Sequence, residues 1–324
     1  MKKSFKLFLA AAFLVTEFFV VALPLMITSA KADGHPIQAI THAGFGGGTD
    51  VTTRMMLLRT RRYLKQDMQL VNKKGGGGAA SMDYMMTLPA DGQHTLTWTT
   101  GHAVSMALGK TKVKLSDMQP LARGTDDPQL FVVNCKNDIK DAKKFISAQK
   151  SKSLKYGTTH VGGIDDVSAI AFTKKGKLTD PTIVPYKGVG PIKTNLIKGD
   201  IDVGVLNLGE AVTEIEDGTL CVSVVLASNR MEKLSNVPTA TELGIPVVLS
   251  TVRGFVTRKG VPADRKKQLE DAMIKAMEHK YFQSFLTDIG LDSTSVVGAD
   301  EWGKQMEVML AEMTAQLKAL VYIN

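Results

Sequence analysis

Apolar and polar positions recur along the chain in two patterns, short apolar runs and longer amphipathic stretches. A short apolar run bounded by glycine or proline predicts a buried strand, whereas apolar positions three and four residues apart predict a helix. The first series of these patterns predicts strands at 36–44 and 94–100, and at 68–78 a strand that runs into a glycine loop. It predicts helices at 49–64 and 79–88.

A second series of the same kind begins near residue 130. Its predicted strands occupy 130–134, 154–158, 182–188, 201–207 and 220–228. Its predicted helices occupy 141–150, 166–176, 191–199 and 209–218. Strands that alternate with helices in this way predict an α/β fold with mainly parallel sheets covered by helices.

Two amphipathic stretches close the chain, at 262–280 and 299–321. The second stretch carries large apolar residues on one helical face, namely Trp302, Met306, Met309, Met313, Leu317 and Leu320. A stripe at this spacing predicts a helix packed against the core rather than a cofactor site.

The N-terminus differs in composition from everything that follows it. A basic start at 1–6 precedes a long apolar run, and Ala30 and Ala32 form an A-x-A pattern. This combination is typical of a secretory signal peptide, here residues 1–32 with cleavage near Ala32. The alternative is an uncleaved anchor helix, because the run is long enough to span a bilayer. Glu17 lies in the middle of the run and makes insertion unfavourable, so we prefer the signal peptide.

The charge balance does not favour a nucleic-acid partner. The whole chain has 40 basic and 32 acidic residues, and without residues 1–32 the numbers are 36 and 31, a net charge of +5. This excess is modest and spread along the chain. The densest basic stretch, 59–65, has helical spacing and predicts a solvated helix face.

Two cysteines, Cys135 and Cys221, lie in predicted strands of a chain that we expect to be exported. An oxidising compartment permits a disulfide between them. Two buried free thiols would also pack well in these apolar runs. Neither cysteine has the C-x-x-C spacing typical of metal or redox sites, and the sequence leaves their pairing open.

The glycine-rich segment 44–48, between the first strand and the first helix, is the strongest candidate for a binding loop. Glycines let backbone N–H groups approach a ligand, and a helix N-terminus favours an anion such as a phosphate or a carboxylate. A Rossmann fingerprint fails because Thr49 stands where the last glycine belongs. A P-loop fails because Val104 stands where the first glycine before Gly109 belongs.

Three histidines, His42, His102 and His160, lie in or beside the predicted strand-end loops. They are the basis of an alternative, a metal or catalytic site, because imidazole binds metals and transfers protons near neutral pH. Their spacing matches no H-E-x-x-H motif, and no nucleophile is singled out beside them. We therefore predict no metal, no cofactor and no catalytic residue.

Eight segments of the chain occur in the order found in one known family. They are GGGTD at 46–50, VNKKGGGG at 71–78, PADG at 89–92, TTG at 99–101, YGTTHVG at 156–162, VPYKGVGP at 184–191, GDIDVG at 199–204 and LSNVPTATELGIP at 234–246. Through these segments the chain resembles the substrate-binding receptors of tripartite tricarboxylate transporters, often called the Bug family. The resemblance extends from Pro36 to about Leu320.

The resemblance implies an α/β protein with the two-lobed type II periplasmic binding protein fold, a Venus flytrap with its ligand cleft between the lobes. It implies a periplasmic receptor without catalytic activity, which delivers a small carboxylate to the membrane subunits of a tripartite-type transporter. We expect one lobe at 36–124 plus 253–324, the other at 125–252, and a monomer. The alternatives are a sensory binding protein that serves a signalling partner and, less favoured, an enzyme that uses the same cleft.

Receptors of this family commonly hold the ligand carboxylate with backbone N–H groups and hydroxyls from two facing loops, often through water. Carried onto this chain, the resemblance implies ligand-binding residues in the glycine-rich loop and at neighbouring strand ends. They are Phe45, Gly46, Gly47, Gly48, Thr49, Asp50, Thr99, Thr100, Thr158, Thr159, His160, Asp165, Tyr186 and Asn207.

Three places depart from the family pattern. The first loop reads HAGF at 42–45 where prolines are usual, so Phe45 would form an apolar wall or stack on a planar ligand. Asp165 and Asp166 stand where a small-hydroxyl run and a histidine are common. They either satisfy the dipole of their helix or face the cleft, where they would favour a ligand with an ammonium or hydroxyl group over a tricarboxylate. Asn207 stands where an acid is common and is a further ligand-selecting position.

Overall fold

The computed structural model describes residues 35–159 and 161–319. The predicted signal peptide lies outside the described residues, and so do His160 and Leu320. Within 35–159 and 161–319, no helix is both long and apolar enough to cross a membrane.

The described residues form eleven strands and ten α-helices. The strands are β1 (Ile37–Thr41), β2 (Met68–Asn72), β3 (His94–Thr99), β4 (Met118–Pro128), β5 (Leu130–Asn134), β6 (Lys155–Thr158), β7 (Thr182–Pro185), β8 (Val203–Leu206), β9 (Leu220–Val225), β10 (Ser250–Arg258) and β11 (Val297–Gly298). The helices are α1 (Gly48–Leu64), α2 (Ala79–Met86), α3 (Thr100–Ala107), α4 (Ala142–Ser151), α5 (Ile164–Lys175), α6 (Val189–Lys198), α7 (Leu208–Glu216), α8 (Ala263–Glu278), α9 (Lys280–Asp288) and α10 (Ala299–Ala319).

The strands belong to two separate sheets. Within the described part of the chain, the first sheet has the order β11-β4-β10-β3-β1-β2 and the second has the order β7-β6-β8-β5-β9. In the first sheet, β1 pairs in parallel with β2 and β3, and β10 runs antiparallel to β3 and β4. In the second sheet, β6 pairs in parallel with β7 and β8, and β5 runs antiparallel to β8 and β9.

The prediction of mainly parallel sheets is therefore wrong, because both sheets are mixed. A parallel pair needs a long crossover connection, usually a helix. β5 follows β4 after a single residue, and β10 follows β9 through a segment with only a short 3₁₀ turn at Glu232–Leu234. Neither strand arrives through an α-helical crossover, and both enter their sheets in the antiparallel direction.

The chain passes between the two sheets at two places. It leaves the first sheet at the end of β4 and enters the second with β5, and it returns after β9 with β10. β4 and β10 pair with one another over most of their lengths. The two sheets are thus connected through adjacent strands, which is the geometry from which two lobes can move about a shared hinge.

The C-terminal region contains three helices within the described residues instead of the predicted two. α9 was not predicted, because the break after α8 contains neither glycine nor proline. The backbone of His279 is extended there, and its side chain accepts a hydrogen bond from the Tyr281 N–H at the start of α9. α3 was likewise predicted only as a strand-end loop.

The predicted apolar stripe of α10 is confirmed as core. Five of its six residues are buried, namely Trp302, Met306, Met309, Met313 and Leu317, and the sixth is Leu320. Trp302 meets Trp98 of β3 edge to face, with ring centroids 5.8 Å apart. A Cβ added to Gly254 of β10 would lie 2.3 Å from the Trp302 ring, so only glycine permits this close approach.

The two cysteines form a disulfide between Cys135, just after β5, and Cys221 of β9. β5 and β9 are neighbouring strands, and Val133 is the register partner of Cys221. The strand pairing therefore places the two cysteines side by side, and the disulfide is the outcome that the sequence left open.

Candidate functional site

A polar cluster with a buried centre lies where β4 and β10 meet the N-terminal ends of α1 and α7. It consists of Arg253 of β10, Asp127 of β4, Thr49 of α1, and Asn207 and Glu210 at the start of α7. We call these five residues the junction cluster. Arg253 is 2% exposed and Asp127 is 3% exposed, so this pair of charges is shielded from solvent, whereas Thr49 and Glu210 are half-buried.

The guanidinium of Arg253 connects the other parts of the junction cluster. Its Nη1 lies 3.0 Å from Asp127 Oδ2 in a buried ion pair. Its Nη2 donates to Asn207 Oδ1 at 3.1 Å, and its Nε donates to Thr49 Oγ1 at 3.3 Å. Asn207 is the N-cap of α7 beside the second sheet, whereas Thr49 is in the first turn of α1 beside the first sheet. The Arg253 side chain therefore contacts the N-terminus of one helix beside each sheet.

Local backbone features bring Arg253 to this position. The register of β10 against β4 shifts between Arg253 and Gly254, and such an irregularity changes the direction of the side chains around it. On the facing helix, Gly48 makes room for the guanidinium. A Cβ added at Gly48 would lie 2.6 Å from Arg253 Nη2. Any larger residue at Gly48 would therefore have to displace the Arg253 guanidinium or α1.

The carboxylate of Glu210 lies between the two helix N-termini. Its Oε2 accepts a hydrogen bond from the Asn207 N–H at 3.0 Å, as in a capping box. It also faces Gly48, the first residue of α1: a Cβ built there would lie 3.5 Å from Glu210 Oε1, and the Gly48 N–H opposes the rise in the pKa of this carboxyl group. Glu210 belongs to α7, so this contact links the helix beside the second sheet to the helix beside the first.

Burial raises the pKa of both acids in the junction cluster. The pKa of Asp127 rises from 3.8 to about 7, because loss of solvation outweighs the attraction of Arg253. The pKa of Glu210 is also raised, chiefly by burial and against the opposing effect of Arg253. A buried ion pair recovers its desolvation penalty only when its geometry and remaining hydrogen bonds are good. Here one guanidinium faces two carboxyl groups, and the cluster is electrostatically short of positive charge.

Four of the predicted residues are at or next to the junction cluster. Thr49 and Asn207 belong to it, and Gly48 touches both Arg253 and Glu210. Asp165 is connected to β10 through Gln129, whose Nε2 donates to Asp165 Oδ1 at 3.2 Å and to Thr251 Oγ1 at 2.9 Å.

The predicted residues at the start of the glycine-rich loop mainly shape the loop. Asp50 is buried, and its Oδ2 accepts from the Gly46 N–H at 3.1 Å and from Arg54 Nε at 2.9 Å. The Gly47 N–H donates to the Gly44 carbonyl. Asp50 therefore closes the turn that leads into α1.

Phe45 does not form a buried wall in this structure. It is 79% exposed at the tip of the loop. The Arg54 guanidinium lies 5.8 Å from its ring centroid and Lys74 Nζ lies 5.5 Å from it. Phe45 is thus an exposed aromatic ring between two cations.

The predicted residues after β3 are part of the fold. The Thr100 hydroxyl donates to the Ser250 carbonyl at 3.0 Å and accepts from the Val252 N–H at 2.9 Å. These two hydrogen bonds attach the start of α3 to β10, beside the place where the chain returns to the first sheet. Thr99 is the N-cap of α3 and bonds His102.

A serine–histidine pair lies next to Thr99, but its hydrogen bonds do not suit nucleophilic catalysis. His102 Nδ1 accepts from the Thr99 N–H at 3.0 Å, so Nε2 carries the ring proton and donates to Ser81 Oγ at 3.0 Å. Ser81 in turn donates to the Gly78 carbonyl. Burial and the nearby His42 ring lower the pKa of His102 well below its usual value. The imidazole therefore cannot accept the serine proton, which a nucleophilic serine requires.

The predicted residues of the loop after β6 are held by their own segment. The N–H and the hydroxyl of Thr159 donate to Asp165 Oδ2 at 2.9 Å and 2.6 Å. Tyr186 is half-buried, and its N–H donates to the Thr158 carbonyl at 2.8 Å. Thr158 Oγ1 is buried and has no hydrogen-bond partner among the residues that the structure describes. His160 lies outside the described residues.

Metal binding was the alternative role of the histidines. His42 and His102 pack edge to face, with ring centroids 4.4 Å apart. Across residues 35–159 and 161–319, no group of three or more His, Cys, Asp or Glu side chains has a geometry that could hold a metal ion.

Sequence reasoning missed Arg253, Asp127 and Glu210. Arg253 lies in the partly apolar run 249–256, where an arginine is seldom buried unless it is paired, so it could have been recognised as one half of a buried pair. Asp127 lies in a polar segment and carries no such signal. Glu210 follows Asn207 by three residues, the spacing of a capping box. That pattern predicts the start of a helix, but it does not predict contact with Gly48 in a distant segment.

Comparison with known proteins supports the same family as the sequence segments. Residues 52–321 match the model of TctC, the tripartite tricarboxylate transporter family receptor. Protein BugT of Bordetella pertussis is 27% identical over 220 residues, which are 65% of this chain and 66% of BugT.

Solved structures are similar over most of the chain. A structure described as a periplasmic transporter is 26% identical with a TM-score of 0.80, covering 87% of this chain and 96% of that one. MatC from Rhodopseudomonas palustris with bound malate is 23% identical with a TM-score of 0.77, covering 87% and 98%. These similarities confirm the predicted two-lobed periplasmic binding protein fold. Since the family model also matches most of the chain, the protein belongs to the tripartite tricarboxylate transporter receptor family.

Proposed function

We propose that the protein binds a small carboxylate between its two lobes in the periplasm and delivers it to the membrane subunits of a tripartite-type transporter. The observation that carries this proposal is the convergence of the α1 and α7 N-termini on the guanidinium of Arg253. Backbone N–H groups at helix N-termini and a guanidinium are favourable partners for a carboxylate.

The lobes of this proposal are residues 36–124 plus 253–324 and residues 125–252. β4 and β10 carry the hinge between them, because the chain crosses between the sheets at these strands. The two helix N-termini already converge in this structure, so the lobes would have to open to admit the ligand, and the affinity would come from contacts made when they close again. The protein acts as a monomer after export and removal of residues 1–32.

The ligand that we propose is a small carboxylate with a hydroxyl or ammonium group. Asp127, Glu210 and Asp165 place three acids in or beside the junction cluster, against the single charge of Arg253. A tricarboxylate would add the most negative charge to this region. A hydroxyl or ammonium group would instead give the acids a donor. Malate, which is bound to MatC, is a hydroxydicarboxylate and a suitable first probe.

A catalytic role is not part of the proposal. The Ser81–His102 pair has the opposite donor–acceptor order from a nucleophile and its base. The family of the chain is a family of receptors.

Thermal unfolding of residues 33–324 against a ligand panel tests the proposal. The panel contains malate, citrate, amino acids, aromatic acids and a nicotinamide dinucleotide. A ligand at 100 times its dissociation constant stabilises the folded state by about 2.7 kcal/mol. This corresponds to a rise in Tm of roughly 4 to 5 °C for a protein of this size. We expect such a rise with one class of small carboxylate and no chemical change in that ligand.

Two other outcomes would contradict the proposal. A rise in Tm only with the dinucleotide would mean that the glycine-rich loop binds phosphate. Conversion of any panel member, followed by mass spectrometry, would mean that the protein is an enzyme. Uptake of the bound carboxylate by cells with and without the protein then separates transport from sensing, since a sensor would leave uptake unchanged.

A further inference from the structure

Glu210 occupies a position that suits a ligand carboxylate. Its carboxylate accepts a hydrogen bond from the N–H of Asn207, the N-cap of α7, and it faces the N–H of Gly48, the first residue of α1. A Cβ built on Gly48 would lie 2.6 Å from Arg253 Nη2 and 3.5 Å from Glu210 Oε1, so the guanidinium and this carboxylate oxygen border the same glycine. These are a positive group and two helix N-termini, the partners that the proposed function gives to an external carboxylate.

A second observation shows that the surrounding site is not saturated by the protein's own groups. Asp127 is 3% exposed and is paired with Arg253 through Oδ2. Its other oxygen, Oδ1, is buried and has no hydrogen-bond partner among the described residues. A buried acceptor without a partner is unfavourable, and a donor supplied from outside would remove that deficit.

The charge of the site indicates whether a ligand carboxylate joins Glu210 there or displaces it. Addition would place a third carboxyl group beside Asp127, Glu210 and one guanidinium, in a region where burial already raises the pKa of both acids. Exchange leaves the charge of the junction cluster unchanged. It also preserves the hydrogen bond of the Asn207 N–H and the contact with the Gly48 N–H, because one carboxylate replaces another.

We infer that Glu210 is an internal competitor, which fills the carboxylate subsite in the empty receptor and is displaced when the ligand binds. This inference rests on the proposed function and assigns Glu210 and Arg253 as residues that determine affinity and selectivity. A ligand must present a carboxylate that replaces the Glu210 contacts. A ligand with only neutral acceptors would have to replace a charge-assisted interaction by a weaker one.

Acetate rescue of Glu210→Ala tests the inference without knowledge of the natural ligand. The substitution removes the internal carboxylate, so the Gly48 and Asn207 N–H groups no longer face a carboxylate acceptor. We expect sodium acetate to raise the Tm of Glu210→Ala in a saturable way, compared with sodium chloride at equal ionic strength. The apparent Kd for acetate should be at least tenfold lower than in the wild type.

Glu216→Ala is the matched control, because Glu216 is an exposed residue at the end of the same helix. It should respond to acetate as the wild type does. Equal acetate responses in Glu210→Ala, Glu216→Ala and the wild type would overturn the inference.

Glu210→Gln keeps the inference testable where the alanine variant does not fold. The amide has nearly the same shape, but it lacks the charge that competes with a carboxylate. We expect Glu210→Gln to bind acetate about tenfold more tightly than the wild type, and an unchanged or higher Kd would overturn the inference.

The ligand panel and the acetate experiment test two different claims, and either claim can be rejected while the other stands. If acetate rescues Glu210→Ala but no panel carboxylate binds the wild type, the internal subsite is supported and the proposed receptor function is not. If a panel carboxylate binds the wild type and both Glu210 variants bind it no more tightly, the receptor function stands and the internal competitor is rejected.

Discussion

Arg253 contacts three separate parts of the molecule from one buried position. Its ion pair with Asp127 is within the first sheet, whereas its hydrogen bonds reach the starts of α1 and α7. Removal of one partner from a buried ion pair leaves the other charge without compensation, and this is more destabilising than loss of an exposed pair.

Replacement of Arg253 by alanine should therefore lower the free energy of unfolding by about 3 to 5 kcal/mol. The measurement is urea denaturation at a pH above the value of about 7 to which the pKa of Asp127 is raised in the folded state. Lys267→Ala is the control, because Lys267 and Asp271 form an exposed pair. It should have little effect. Asp127→Asn introduced together with Arg253→Ala should recover part of the loss, since it removes the uncompensated acid. Equal effects of Arg253→Ala and Lys267→Ala would contradict this account.

Gly48 is the second residue whose identity the structure explains. A Cβ there would lie 2.6 Å from an Arg253 nitrogen that Asn207 holds in place. Gly48→Ala should destabilise the protein by about 1 to 3 kcal/mol, through a shift of the guanidinium or of α1. Thermal and urea unfolding would measure this loss.

Gly190→Ala provides the comparison for Gly48→Ala. Gly190 is also near the start of a helix, but a Cβ there would have open space around it. That substitution should be neutral or slightly stabilising, because alanine reduces the freedom of the unfolded chain. Similar losses in both variants would show that contact with Arg253 is not the cause.

At the scale of elements, β5 and β9 are joined both by strand pairing and by the Cys135–Cys221 disulfide. The two cysteines are 86 residues apart in sequence, so the bond closes a long loop in the unfolded chain. Closure of a loop of this length lowers the entropy of the unfolded state substantially.

The double variant Cys135→Ser, Cys221→Ser should lose about 4 to 5 kcal/mol of stability in urea denaturation. The wild type should show a similar loss when a reducing agent is present throughout the experiment. Two free thiols in the oxidised, exported protein, detected by alkylation and mass spectrometry, would contradict the pairing.

At the scale of the whole molecule, the junction cluster links the pH dependence of stability to the contact between the two sheets. Burial raises the pKa of Asp127 to about 7 in the folded state, from a reference of 3.8. Between these values the folded protein keeps a proton that the unfolded chain has released. The contribution of Asp127 is therefore fully present below about pH 4 and is lost as the pH rises to about 7.

The free energy of unfolding should accordingly fall more steeply with rising pH in the wild type than in Asp127→Asn across this window. The difference in slope should be at most about 1.4 kcal/mol per pH unit. Urea denaturation at several pH values between 4 and 8 would measure it. Asp271→Asn, in an exposed pair, should keep the wild-type slope. Identical slopes in the wild type and in Asp127→Asn would show that Asp127 titrates similarly in both states.

Patterns within short segments determined much of this protein from its sequence alone. Apolar periodicity predicted α1, α8, α10 and most strands, because a helix or strand must bury one face wherever it packs. The order of eight short segments resembles a known family, and that resemblance implied the two-lobed fold and the receptor function. It also supplied Gly48, Thr49 and Asn207 of the candidate site.

The tertiary structure alone decided how distant residues meet. Arg253 is 204 residues from Thr49 and 126 from Asp127, and no local pattern relates them. The mixed direction of the sheets, the Cys135–Cys221 pairing and the contact of Glu210 with Gly48 depend likewise on how the chain crosses between sheets. Periodicity shows which face of an element is buried but not what it is buried against, because that partner is set by packing of the whole chain.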